Sequence, residues 1–127
     1  MAATKVRTSL FSAITLTAGA ASLNSSWIDL SAGFSATINA EITNGTAGPS
    51  LPSQVQVQTA NNYNGGAPTL PINSGGALVA GVANDEVTPF GPILIVFPVQ
   101  AVRLVAGSNT DENTTISADI SQVTAVS

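Results

Sequence analysis

Two acidic pairs are the residues of this chain whose types and spacing could support chemistry. Asp85-Glu86 and Asp111-Glu112 lie in polar segments that also contain three asparagines: Asn84, Asn109 and Asn113. Carboxylate and amide oxygens are the ligands that Ca²⁺ prefers, and two carboxylates at a suitable separation can hydrolyse a glycosidic bond. Neither pair has the spacing of an EF-hand loop. We therefore expect solvated loop charges here, with no metal site and no catalytic dyad.

The absence of histidine and cysteine removes most catalytic designs. Without histidine there is no Ser-His-Asp triad, and the commonest general base and transition-metal ligand are missing. Without cysteine there is no thiolate nucleophile, disulfide or thiolate-bound zinc. The glycine pairs at 65–66 and 75–76 are not followed by Lys-Ser or Lys-Thr, so they do not form a phosphate-binding loop. The sequence predicts a protein that is not an enzyme and needs no cofactor.

Three scattered aromatic residues leave two interpretations open. Trp27, Tyr63 and Phe90 could stack on sugar rings, because an aromatic ring presents a flat apolar face. Alternatively, Trp27 packs against the edge of the domain or against a neighbouring subunit. Tyr63 lies in the least regular stretch of the chain, residues 60–76, and long irregular loops are often functional.

Charge and length exclude further classes. The 127 residues fit one domain, and charged residues make up only 8%, with three basic residues and a formal net charge of −4. Nucleic-acid binding needs a basic patch that displaces counterions, which three cations cannot supply. No apolar run approaches the roughly 18 residues of a membrane-spanning helix. We expect neither a nucleic-acid partner nor a membrane partner.

Alternating apolar and polar residues predict most of the strands. Residues 35–43, 54–59 and 116–121 each place apolar side chains on one face and polar side chains on the other, which is typical of half-buried antiparallel strands. Turn residues separate them, and no segment has a helical period. The sequence predicts an all-β, single-domain antiparallel β-sandwich or jelly roll spanning residues 1–127, with about seven or eight short strands.

The most apolar stretch, residues 89–105, is predicted to supply the middle of the core. Pro92 and Pro98 interrupt it, so it reads as two buried strands at about 93–97 and 99–106 rather than one helix. The polar segment 107–113 that follows is predicted to be a hairpin loop leading to the next strand.

The two ends of the chain are predicted to contact partners. Lys5 and Arg7 precede an apolar segment and a small-residue stretch, which is the outline of a secretory signal. Hydroxyl side chains interrupt that segment, so we predict instead a strand that is apolar on both faces from Leu10, preceded by a docking arm at residues 1–9. After Gln122 the apolar register slips to Val123, which suggests a bulge or an extension towards a neighbour.

Four short motifs resemble small β-rich structural proteins of tailed bacteriophages. They are SSWIDL at 25–30, AEITNG at 40–45, QVQVQ at 54–58 and AVRLV at 101–105. The chain is similar in particular to capsid decoration, or cement, proteins. That resemblance implies a non-enzymatic protein on the outer surface of the virion, bound to the major capsid protein and to copies of itself, often as a trimer. It transfers no functional residue.

We therefore expect a virion structural protein that stabilises the capsid. Two alternatives remain: a carbohydrate-binding or host-attachment module of a tail or fibre that uses Trp27 or Tyr63, and a secreted adhesin or pilus-like subunit cleaved after Ala20. A glycan is accordingly a further candidate partner. The candidate interaction residues are Lys5, Arg7, Leu10, Trp27, Tyr63 and Val123.

Overall fold

Strands account for all regular structure in the computed structural model, which describes residues 3–31, 35–63, 68–95 and 99–126. No helix occurs within these ranges. The strands are β1 (Ala3–Leu16), β2 (Leu23–Asn24), β3 (Ile28–Asp29), β4 (Ser35–Asn44), β5 (Gln54–Ala60), β6 (Ile72–Asn73), β7 (Leu78–Val79), β8 (Val87–Leu94), β9 (Ala101–Gly107) and β10 (Thr114–Val126).

The strands form two antiparallel sheets with jelly-roll topology. Sheet A has the order β1-β10-β4-β8, and sheet B has the order β2-β9-β5-β6. The short β3 also pairs with β9, and β7 also pairs with β5, so β2–β3 and β6–β7 each act as one interrupted strand. Counted in this way there are eight strands, and the first pairs with the last, the second with the seventh, and so on inwards, as in a rolled-up hairpin. The predicted all-β sandwich is therefore confirmed.

The core lies between the two sheets, on the faces that the alternating pattern predicts. Ile38 and Ile42 of β4 and Ile116 of β10 are fully buried on the inner face of sheet A. Val102 and Leu104 of β9 are fully buried on the inner face of sheet B. Polar neighbours on the same strands point away from the core because successive side chains of a strand alternate between faces.

Only half of the apolar stretch 89–105 lies in the centre of the core, so the prediction of two buried strands was partly wrong. The first half contributes to β8, the edge strand of sheet A, where Leu94 is 74% exposed. Pro89 and Pro92 lack the N–H that a central strand must donate, and proline is accordingly found on edges. Ile95 is buried just beyond β8, and residues 96–98 lie outside the described residues. The second half is β9, a central strand of sheet B.

The segment 107–113 is a crossing between sheets and not the hairpin loop that we predicted. It leaves β9 in sheet B and enters β10 in sheet A, as a jelly roll requires. Asn109 holds it in place: its buried Nδ2 donates hydrogen bonds to the carbonyl oxygens of Leu16 and Glu112, each at 2.9 Å. The Asn109 side chain therefore anchors the connection between the two sheets.

Candidate interaction surfaces

β1 is the longest edge strand among the described strands. Sheet A ends in β1 and β8, and β8 contains two prolines. Sheet B ends in the interrupted strands β2–β3 and β6–β7, whose segments are two residues each. By contrast, β1 runs for 14 residues. An edge strand presents a row of unpaired N–H and C=O groups, so β1 offers the best template for pairing with another chain.

Residues 3–9, most of the predicted docking arm, lie in β1 and pair with β10. Arg7 is opposite Ser121 and Ser9 is opposite Asp119, while residues 1 and 2 lie outside the described residues. The Nε of Arg7 donates a hydrogen bond to Oδ2 of Asp119 at 2.7 Å. The segment is thus an integral edge strand, and its role in docking remains a prediction.

The other terminal candidates have different environments. Lys5 is exposed, and Val123 is half-buried on the outer face of sheet A. The register shifts between Thr4 and Lys5, which pair with residues 125 and 123, so residue 124 is the extra residue of a bulge. It does not lie at the step from Gln122 to Val123, where we predicted a bulge or an extension towards a neighbour: Gln122 is buried, and β10 pairs with β4 without a shift as far as Val123. Leu10 belongs to the core cluster and is only 9% exposed, which gives its side chain a packing role rather than a contact with a partner.

A groove of about 720 Å³ crosses the outer face of sheet A. Its floor includes Asn39 and Glu41 of β4 and Ser117 of β10, with irregular β1 on one side and β8 on the other. β1 bulges between residues 9 and 14, and Ser117 Oγ fixes this bulge by accepting a hydrogen bond from the Ala13 N–H at 3.1 Å. The groove therefore offers hydroxyl, amide and carboxylate groups for hydrogen bonding.

The acidic pairs occupy loops, as expected. Glu86 Oε1 accepts a hydrogen bond from the Ala83 N–H at 3.0 Å and so closes its own turn. Asp85 and Asp111 adopt positive φ angles of 56° and 71°, a conformation that aspartate tolerates better than most residues. Across residues 3–31, 35–63, 68–95 and 99–126, no group of three or more His, Cys, Asp or Glu side chains could hold a metal ion.

The outer face of sheet B carries a set of connected side chains that the sequence analysis did not identify. The guanidinium carbon of Arg103 lies 4.5 Å from the centroid of the Trp27 ring, and its Nε donates to Oε1 of Gln58 at 2.9 Å. Gln58 Nε2 in turn donates to Oδ1 of Asn73 at 3.0 Å. The alternation of β5 and β9 could have placed Gln58 and Arg103 on this face. The pairing of Gln58 with Arg103, however, depends on the register between the strands.

The aromatic candidates are not gathered into one site. Trp27 lies beside Arg103 of sheet B, whereas Phe90 is on β8 of sheet A and packs against the core. Tyr63 is half-buried in the connection that follows β5. Of the three, Trp27 is the one that the structure connects to other polar side chains.

Comparison with known proteins establishes the fold. No protein-family model matches the chain, and no curated protein is similar to it in sequence. The VP2 subviral particle of infectious bursal disease virus is similar in structure, with a TM-score of 0.56 and 12% identity over 95% of this chain and 33% of the viral chain. The Gx strain of that virus gives a TM-score of 0.55 and 14% identity, with 95% and 32% covered. This chain thus spans about a third of the viral protein that it matches.

A protein of the disulfide-linked pili on Bacillus endospores aligns over 99% of this chain and 93% of its own, with 16% identity. The TM-score is 0.42, too low to establish a shared fold. Within the described residues, no helix is long and apolar enough to cross a membrane.

Proposed function

We propose that this chain is a non-enzymatic structural protein of a virus particle and that it decorates the outer surface of the capsid. Its partners would be the major capsid protein and copies of itself, arranged as a trimer. The observation that carries the proposal is the open edge of β1, regular from Lys5 to Ser9, on a jelly-roll sandwich. The structural likeness to a protein of virus particles supports the same class of role.

An open edge strand suits attachment because a neighbour can add a strand to the sheet through main-chain hydrogen bonds. The regular part of β1, from Lys5 to Ser9, pairs with β10 on one side only. Its exposed side chains are mostly short or polar and leave the edge accessible. Because such pairing uses no ion pairs, it would resist salt better than an interface between exposed charges.

The direct test is the native mass of the protein, alone and after mixing with purified heads of a tailed bacteriophage that lack their decoration protein. We expect a trimer that co-sediments with the heads. A monomer that stays in the supernatant would contradict the proposal.

Two neighbouring proline substitutions locate the contact. Consecutive residues of a strand direct their N–H groups to opposite sides. Of the N–H groups of Thr8 and Ser9, one therefore faces β10 and the other faces away from the sheet. Thr8→Pro and Ser9→Pro each remove one of these two groups. The variant that loses the bond to β10 should melt at a lower temperature. The other should stay folded but lose association, since proline blocks the outer edge. If the folded variant still associates with unchanged mass, β1 is not the contact.

A further inference from the structure

A row of planar side chains crosses the outer face of sheet B from the segment before β3 to β6. It consists of the Trp27 indole, the Arg103 guanidinium and the amides of Gln58 and Asn73. Each group is held by the next, so the row is pre-ordered. With strands about 4.8 Å apart, it extends over roughly 14 Å.

Arg103 is the cation in this row, and it has no carboxylate partner among the residues described. The ion pair found there is that of Arg7 with Asp119, on the other sheet. Arg103 uses Nε for Gln58, while its two Nη groups make no hydrogen bond to any described residue. These Nη groups are not among the buried polar atoms that lack a partner in the described residues, so they face solvent and an approaching anion can reach them. The free fork of a guanidinium matches the two oxygens of a carboxylate.

The surroundings of Arg103 favour an anionic ligand. Gln54 and Gln56 share its face of sheet B, and Gln56 Nε2 is tied to the carbonyl oxygen of Gly75 at 3.1 Å. The nearest strand acid in register is Asp29 on β3, opposite Ala101. Its Oδ1 already accepts hydrogen bonds from the Ser31 backbone N–H at 2.9 Å and from the Ser31 hydroxyl at 2.6 Å. Asp29 forms no ion pair with Arg103, and the side chains that lie closest to the guanidinium are the Trp27 indole and the Gln58 amide.

We propose that this face binds an acidic polysaccharide, with a sugar carboxylate on the Arg103 guanidinium and a sugar ring against the exposed part of Trp27. Amide side chains donate and accept hydrogen bonds, as sugar hydroxyls require, and the indole supplies the apolar surface for a ring. The length of the row suits an extended oligomer. An acidic protein segment would use the cation but would leave the ring and the amides without a specific role. This site lies on sheet B, so it is independent of the β1 edge in sheet A.

The test is calorimetric titration of the full chain with oligogalacturonate and with a neutral galacto-oligosaccharide of the same length. Charge-assisted hydrogen bonds to a carboxylate should make the acidic oligomer bind at least about tenfold more tightly. Added salt should reduce this difference because part of the Arg103 contact remains exposed. Equal affinity for the two oligomers, or no binding of either, would overturn the proposal.

Gln58→Glu is the decisive variant. It is nearly isosteric and places a carboxylate where Oε1 of Gln58 now lies 2.9 Å from Arg103 Nε. The fold should be preserved, while the internal carboxylate should satisfy the cation and reduce oligogalacturonate affinity by about tenfold or more. Gln54→Glu is the matched control, since it makes the same change on the same strand face, where Gln54 pairs with Gly107 and not with Arg103.

The variants also separate a saccharide from a protein partner. If Gln58→Glu and Gln54→Glu reduce affinity equally, the effect is general charge and the site at Arg103 is refuted. If polyglutamate competes for the site as well as oligogalacturonate does, the face binds carboxylates without contacting a sugar ring, and the saccharide assignment is wrong. Competition by oligogalacturonate alone supports it.

Discussion

Truncation of Leu104 should cost far more stability than truncation of Leu94, although both lie in the most apolar part of the chain. Leu104 is fully buried in the central strand β9, and Leu94 is 74% exposed on the edge strand β8. Leu→Ala in a packed core loses both transfer free energy and packing around the resulting cavity, about 3 kcal/mol here. For a domain of this size that corresponds to a fall in melting temperature of about 12 °C. Leu94→Ala should cost about 0.5 kcal/mol or less.

The assay is urea unfolding followed by the fluorescence of Trp27, the single tryptophan, and by circular dichroism. Low protein concentration keeps association from contributing to the result. The two probes should coincide, and the midpoint should shift without a change in slope, since neither variant alters the surface exposed on unfolding by much. Equal losses in the two variants would refute the assignment of β9 to the core and of β8 to the edge.

Two more substitutions test local features of the fold. Gly91→Ala should lower the melting temperature, because φ at Gly91 is +122° and an added Cβ would lie 2.6 Å from Oδ1 of Asn39. Gly76→Ala is the control and should leave the melting temperature unchanged, because nothing lies within 4 Å of a Cβ at that position. Equal effects of the two substitutions would show that the backbone at Gly91 is not strained by a side chain. Ser53→Ala should cost about 1–3 kcal/mol because it leaves the buried hydroxyl of Thr114 without its 2.6 Å partner. Adding Thr114→Val should recover part of that loss, and strictly additive losses in denaturant unfolding would argue against the pair.

Half-burial is what made several strands predictable. In β4, β5 and β10 one face packs on the core and the other faces solvent, so apolar and polar residues alternate along the sequence. That pattern also fixed which side of each strand points inwards. It needs no knowledge of which strands are neighbours.

The short strands were harder to predict because their neighbours define them. β6 lies inside the stretch 60–76 that the sequence presents as an irregular loop. Its two residues, Ile72 and Asn73, are exposed and become a strand by pairing with Thr59 and Gln58. Two-residue pairings carry no detectable period, so β2 had little signal as well.

The sequence analysis did not distinguish an edge strand from a central strand within the apolar stretch 89–105, for a related reason. Hydrophobicity reports burial of side chains, whereas position within a sheet depends on main-chain hydrogen bonds. Pro92 was interpreted as an interruption of the stretch, although Pro89 and Pro92 each remove an N–H and thereby favour an edge. Reading prolines as edge markers would have separated β8 from β9.

The row on sheet B shows why predicting a binding surface requires the register between paired strands as well as the face on which each residue lies. The alternation of β9 places Arg103 opposite in direction to Leu104, so the packing of Leu104 in the core forces the guanidinium outwards. Its contact with Gln58 exists because β5 and β9 pair at that register, and a shift by one residue would direct glutamine into the core. The core therefore determines the geometry of the outer face.

Placement on different sheets makes the two proposed roles separable. Pairing at β1 would extend sheet A sideways and leave the outer face of sheet B uncovered. A protein attached to a shell by its β1 edge could thus still present Arg103 and Trp27 to a polysaccharide. Because no strand belongs to both sheets, the folded proline variant of β1 should lose association and keep oligogalacturonate affinity, while Gln58→Glu should do the reverse. Loss of both properties in either variant would mean that the two surfaces act as one.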